Sequence, residues 1–429
     1  MNEEPRIIFT EEMKKEYTVL VPTMLPTHFK MLVGIFRSYG LHAVLLENSG
    51  QPVIDCGLRY VHNDTCYPAL LVIGQMIHAI ETGGYDPHKI ALMITQTGGG
   101  CRASNYIFLL RKALQKAGYG YVPVVSLNFN NLEKNPGFKI SLSMLDRMVY
   151  AVLYGDLLMM LQNQCRPYEV QPGSTQQLAD EWTARLVEQM KGRGMISYRR
   201  VKQNYQAILR DFAQLPRRRE EKLRVGIVGE IFVKFSPLGN NNREQFLRSE
   251  GCEPVVPGLL DFCLYCVYNG IADHQLYGTG AVKAKVVAAA YRFLLKKQQD
   301  IIDLIEEQGE FRAMTPFEIT RNLTRGYVGI GAKMGEGWLL TAEMLELSHD
   351  GIKNIVCTQP FGCLPNHIVG KGMMKQIKEK NPGVNIVAVD YDAGATQINQ
   401  ENRIKLMLAN ARQNEEQKTS EPAAVLETV

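Results

Sequence analysis

The chain has 429 residues, of which 45% are hydrophobic, 21% charged and 8% aromatic, ample apolar material for a buried core and too little charge for intrinsic disorder. Its 48 Lys and Arg against 44 Asp and Glu leave a net charge of +4, too mild for the electrostatic footprint of a nucleic-acid binder. A mean hydropathy of -0.15, without any run of about 18 apolar residues, excludes a membrane span.

At roughly 100–200 residues per domain, two or three domains are expected. The first residues mix acids and bases and lack the apolar core of a signal peptide, which places the protein in the cytoplasm. Nine cysteines in such a compartment point to metal ligation, catalysis or burial rather than to a disulfide framework.

A first α/β lobe, residues 1–140, begins with a strand at Tyr17–Pro22 and a helix at Thr27–Tyr39, then a strand at His42–Leu46. The apolar runs Ile90–Ile94 and Val122–Ser126 flank a helical pattern from Arg102 to Ala117, the βαβ signature of a parallel sheet. Residues 141–222 read as a helical segment: Leu142, Leu145, Met148, Val149 and Val152 recur at helical spacing, and the pattern resumes from Ala179 to Lys191. The basic run Pro216–Arg219 is read as a solvated linker. A second α/β lobe, 223–412, carries the strands Leu223–Gly229, Asn354–Thr358 and Val384–Val389, and a Glu-rich tail, 413–429, is expected to be disordered.

Three cysteines occupy loops where ligands are expected. Cys66 precedes Pro68 and an apolar helical pattern, and a thiol at a helix N-terminus meets the positive end of the dipole, which favours thiolate. Cys101 follows the strand at 90–94 directly, after Gly98, Gly99 and Gly100, at the carboxyl end where open α/β sheets place ligands. Consecutive glycines permit close backbone approach and suit an anion, whether phosphate or iron–sulfur cluster; the same triplet also suits a plain turn. Cys363 repeats the arrangement in the second lobe, as strand, polar Thr-Gln turn, glycine, cysteine and helix. Two such loops facing one another would form a shared site.

The other cysteines divide less cleanly. Cys263 and Cys266 form a C-x-x-C pair inside an apolar helix-like run, and buried small hydrophobes are preferred there over zinc or a redox pair. Cys357 lies within a strand and reads as buried, while Cys252 and Cys165 carry no signal. Cys56, ten residues before Cys66, stays open as a further ligand.

The segments YVHNDTCYPA (60–69), TQTGGGCRASNY (95–106), VGIVGEIFVKFSPLGNN (225–241), TQPFGCLPNHIVGKGMM (358–374) and DYDAGATQINQENRIKLML (390–408) together resemble the acyl-CoA dehydratase activase-related proteins. That group is similar to the iron–sulfur subunits of 2-hydroxyacyl-CoA dehydratases, and the resemblance runs from about residue 17 to residue 412. It implies two Rossmann-like lobes with parallel sheets, joined here by the helical segment, and a [4Fe-4S] cluster between them. Its ligands would be Cys66, Cys101 and Cys363, with Gly98, Gly99 and Gly100 beside it and Cys56 as a possible fourth thiolate. The implied partners are a separate ATP-hydrolysing activator that donates a low-potential electron, an acyl-CoA-type small molecule, and a second subunit in a homodimer or heterodimer.

The implied activity is radical dehydration of an acyl-CoA, a lyase reaction in which one electron makes a ketyl-type radical and acidifies the hydrogen whose loss expels the 2-hydroxyl. The alternatives are a non-dehydratase iron–sulfur reductase or electron carrier, and a non-catalytic partner of an activator ATPase. Arg59, His62, Asn63, Arg102, Asn105, Asn366 and His367 are candidate hydrogen-bond donors to the cluster or a thioester, although for each one singly capping or surface solvation is the preferred reading. Asp390 and Asp392, at a strand end, suit acid–base work or helix capping alike. The stretch Lys234–Asn240 is expected to be a loop open to substrate or partner. The weak G-x-x-G at Gly226–Gly229 adds no nucleotide site.

Overall fold

The computed structural model describes residues 6–62, 64–128 and 132–420. Both lobes are built on four-stranded, all-parallel sheets. The first comprises β1 (Thr18–Val21), β2 (His42–Leu45), β3 (Ile90–Thr95) and β4 (Val124–Leu127), in the order β2-β1-β3-β4. The second comprises β5 (Arg224–Gly229), β6 (Glu253–Val255), β7 (Asn354–Pro360) and β8 (Asn385–Tyr391), in the order β6-β5-β7-β8. The two sheets thus share one topology, with the order reversing between the two central strands of each. Open α/β sheets bind ligands outside the carboxyl ends of the strands at this reversal, and here those ends lead to Cys101 in one lobe and to Glu230 and Cys363 in the other.

Strand alternation assigns each sheet face to a different core, as a period of two requires. Val19, Val21, Ala91, Met93 and Val125 pack against the helical region, whereas Leu20, Leu92, Ile94 and Val124 face the other way. That second face shares a core with Val225, Ile227 and Val356 of the second lobe, so apolar packing runs continuously from lobe to lobe. Val228, Ile355 and Cys357 close a smaller core on the far side. Cys357 is fully buried there, as its place in a strand leads one to expect.

Strand β6 carries too little pattern to be read from sequence: three residues, Glu-Pro-Val, with Pro254 tolerated because the strand lies at a sheet edge. The helical layer is also wider than the segment 141–222. Leu142–Cys165, Ser174–Gln189 and Tyr198–Ala213 are helices, but the same core includes Leu264, Tyr268, Tyr291 and Ile301 from a long hairpin, Leu259–Tyr277 and Ala281–Gln308, inserted in the second lobe. The tail is ordered further than expected, since the last helix, Gln397–Ser420, continues eight residues past 412. Residues 421–429 lie outside the described residues. Among the described residues no helix is long and apolar enough to cross a membrane.

Candidate functional site

Cys66 is the residue before helix Tyr67–Thr82, with Pro68 in the first turn, where a missing N–H costs nothing. The free Tyr67 N–H donates instead to the Phe361 carbonyl of the second lobe at 3.0 Å. The lobes therefore meet at the mouth of this helix. Gly362 makes the approach possible: its φ is +72°, and a Cβ there would lie 3.0 Å from the Cys66 Cα. Cys363 follows directly, buried at the end of the β7 turn.

Cys101 stands before the turn Arg102–Asn105, which runs into helix Tyr106–Lys116. Of its three preceding glycines only Gly98 is left-handed, at φ +73°. Gly99 faces open space, and a Cβ on Gly100 would meet the Met334 side chain at 3.1 Å. Met334 belongs to a glycine-rich loop, 324–337, that no sequence signal singled out. Gly335 of that loop, at φ +59°, would place a Cβ 3.6 Å from the Cys101 Sγ and 3.2 Å from Pro365. The loop thus spans from the first-lobe thiol to the turn that carries Cys363.

The three sequence-predicted cysteines are brought together. The charge of Cys66 acts on Cys101 and that of Cys101 on Cys363. Burial raises all three thiols, Cys101 to about 11. Opposing the burial, each feels a backbone N–H from the turn behind it, Ala69 for Cys66, Ala103 for Cys101 and Asn366 for Cys363. Cys56, Cys165, Cys263, Cys266 and Cys357 have no such amide acting on them. Cys66 Sγ also lies 2.9 Å from the Tyr106 hydroxyl.

Two carboxyl groups complete the site. Glu230 follows Gly229, whose φ of +128° and close approach to Thr358 exclude a side chain, and it caps the short helix Ile231–Phe235 by accepting from Val233 N–H at 2.9 Å. Glu336 accepts from Ile231 N–H at 2.9 Å. Burial first, and then Glu336, push Glu230 up to about 8; burial also raises Glu336. Glu230 acts on all three thiols and Glu336 on Cys101 and Cys363. The position of Glu230, at the carboxyl end of a central strand, was the signal available in sequence; Glu336, in an irregular loop, offered none.

Behind them Lys234 and Glu343 form a buried ion pair of 2.6 Å. Lys234–Asn240 is accordingly no open loop but the end of one short helix and a second, Pro237–Asn240, with Lys234 turned into the core. Three thiols and two carboxyls therefore converge with little cationic compensation: Lys234, which acts on the two carboxyls, is already paired, and the exposed Arg102 acts on Cys66. Such a site stays protonated when empty, and a bound cation would displace the protons.

Cys56 is not part of this group. Its Sγ lies 4.0 Å from Glu81, fifteen residues along the helix from Cys66, about 22 Å of rise, so it supplies no fourth thiolate. Of the C-x-x-C pair, Cys263 is partly exposed and Cys266 exposed, contrary to full burial. The charge of Glu336 acts on Cys266.

The supporting candidates scatter. Asn366 is fully buried and donates to the Thr358 carbonyl at 2.6 Å, fixing the turn. Arg102 donates to the Asp64 carbonyl at 2.8 Å, His62 pairs with exposed Asp64 at 3.4 Å, and His367 faces solvent. Arg59 lies toward Tyr60, near the far end of the same helix pair, and Asn105 ends a 3-10 turn without capping through its side chain. Asn63 lies outside the described residues. Asp390 is tied at the surface to Lys371 and Arg403, and Asp392 accepts from Gly394 N–H in a turn, so neither is poised for acid–base work.

Among the described residues no group of three or more His, Cys, Asp or Glu is arranged to hold a single metal ion. A lone ion needs its ligand atoms in one tight shell, whereas a four-iron cluster holds its thiolates apart, by roughly 6–7 Å. No protein-family model matches the chain, and no curated protein matches it.

Proposed function

We propose that the chain is the iron–sulfur component of a low-potential acyl-CoA chemistry, with a [4Fe-4S] cluster held by Cys66, Cys101 and Cys363 between the lobes. The observation that supports it most is convergence across the lobes: Cys66 opens its helix where the Tyr67 N–H donates to the Phe361 carbonyl at 3.0 Å, two residues before Cys363, and a Cβ on Gly335, whose loop meets Pro365, would lie 3.6 Å from the Cys101 Sγ. Amide hydrogen bonds to sulfur stabilise the anionic thiolate and tune a cluster's potential. When bound, such a cluster would supply one-electron transfer and, at an iron left without a thiolate, a Lewis-acid position.

This chain's own residues would do the rest. The thiols release their protons on loading. Glu230, pushed up to about 8 chiefly by burial, and Glu336, also raised by burial, are held beside the thiols by backbone amides, where they can hold or pass a proton next to a bound substrate. The Tyr106 hydroxyl, 2.9 Å from the Cys66 sulfur, would donate to its thiolate, and Met334 and Gly335 close one wall. With Cys56 removed from the ligand set, three thiolates remain, which favours the dehydratase-like reading over a carrier with a fully thiolate-ligated cluster. A separate ATP-hydrolysing activator would deliver the electron. The reading is tested by adding a 2-hydroxyacyl-CoA to the anaerobically prepared protein and following the visible and electron-paramagnetic spectra. A substrate-dependent change is expected; spectra indifferent to the acyl-CoA would overturn it in favour of an electron carrier.

A further inference from the structure

A second cavity, of about 530 Å3, lies outside the thiol site, between helix Phe317–Leu323, the glycine-rich loop and Tyr268 of the inserted hairpin. That volume suits a ligand of nucleotide size rather than a lone ion. Its polar wall is basic. Arg321 is held in place by Glu318 at 2.8 Å and by stacking on Tyr268 at 4.6 Å. Arg325 is exposed and, among the described residues, has no ion-pair partner. Glu318 is the one acid paired at this wall, so a positive charge remains unbalanced.

The loop itself adds donors. Among the described residues the backbone N–H groups of Gly329, Ile330 and Gly331 donate to no other backbone carbonyl. A Cβ at Gly326 or Gly329 would meet nothing within 4 Å, so the backbone there is open to close approach, as in anion-binding nests. Val328 and Ile330 supply an apolar patch beside it. From Ile330 the loop continues to Met334 and Gly335, which rest on Gly100 and Cys101.

We infer that this cavity binds an organic diphosphate of the nucleotide class, its phosphates on Arg325, Arg321 and the free amides at Gly329–Gly331. A free nucleoside diphosphate and the nucleotide end of a coenzyme A ester share this chemistry. The site is independent of iron, and only the second source rests on the function proposed above. Because one loop lines both the cavity and Cys101, occupancy would order the wall of the thiol site.

The test is calorimetric titration of the full chain with ADP, coenzyme A and inorganic pyrophosphate, at low and high salt, for wild type, Arg325→Glu and Cys101→Ser. Binding of ADP or coenzyme A that weakens with salt, falls at least about tenfold in Arg325→Glu and survives in Cys101→Ser is expected. Tighter binding of coenzyme A than of ADP assigns the ester as source, and equal binding assigns the free nucleotide. No binding of either, equal binding by Arg325→Glu, or pyrophosphate binding as tightly as both would overturn the assignment. Arg325 is exposed, so its variant should melt as wild type does. Hydrogen exchange provides the second measurement: ADP should protect residues 325–335, and an unprotected loop would also overturn it. Loss of iron in Cys101→Ser with nucleotide binding intact separates this site from the cluster reading.

Discussion

Replacing Gly362 by alanine tests whether the lobes are joined where the site requires. At φ +72° a non-glycine residue carries a left-handed penalty of about 1–2 kcal/mol. The new methyl would also sit 3.0 Å from Cα and 3.2 Å from N of Cys66, and both are backbone atoms that cannot swing aside. Relieving such overpacking costs about 1–3 kcal/mol, so the total is about 2–5 kcal/mol. The relief must come from moving the 361–363 turn off Cys66, which stretches the 3.0 Å bond from Tyr67 N–H to the Phe361 carbonyl. For a cooperative unit of lobe size about 1 kcal/mol shifts Tm by 2–4 °C, so Tm should fall by at least about 4 °C. Iron retained after anaerobic purification should fall as well. Gly99→Ala is the control: its Cβ would meet nothing within 4 Å, and Tm should stay level or rise slightly. A Gly362→Ala protein with wild-type Tm and iron content would refute the reasoning.

Three further outcomes follow from the same geometry. Glu230 and Asp261, each pushed up to about 8 chiefly by burial, are protonated in the folded chain and ionised in the unfolded one at neutral pH. Their stabilising contribution is full below pH ~4.5, the unfolded carboxyl range, and is lost as pH rises through the folded value near 8. Tm of the iron-free protein should therefore decline from pH 5 to 8, and Glu230→Gln with Asp261→Asn should flatten the decline; an unchanged slope would contradict the assignment. Lys234→Met leaves Glu343 buried without its partner and should cost about 3–5 kcal/mol in urea unfolding. The double variant Lys234→Met, Glu343→Leu should recover most of that loss, and no recovery would argue against a simple pair. Cys56→Ala should keep full iron, because its sulfur sits against Glu81; loss of iron there would return Cys56 to the ligand set.

The strand ends were legible because the strands that lead to the site are short apolar runs closed by a polar or glycine turn, and a cysteine one turn beyond such a run is conspicuous. Cys101 and Cys363 were found by that logic, and Cys66 by the Pro68 that opens its helix. The signal failed where residues act through tertiary placement. Glu336 sits in an irregular loop without periodicity to mark it, yet the loop crosses from one lobe's cysteine to the other's. Cys56 is ten residues from Cys66 in sequence, but the helices Gln51–Tyr60 and Tyr67–Thr82 cross closely at Gly57 and Gly74, and the end of the first lies by Glu81, which accepts from the Tyr60 hydroxyl at 2.7 Å, so Cys56 sits toward the far end of the second helix from Cys66. Lys234 looked like a loop cation because the buried acid that holds it, Glu343, is 109 residues away. The C-x-x-C pair followed an apolar run into the helix as expected, but the hairpin turns Cys266 outward.

Iron and acid-labile sulfide per chain after strictly anaerobic purification bear most directly on the cluster. Wild type should hold about four of each, and Cys66→Ser, Cys101→Ser and Cys363→Ser should each lose them while Cys56→Ala does not. Wild-type protein without iron, or iron indifferent to all three serine substitutions, would contradict a cluster held between the lobes.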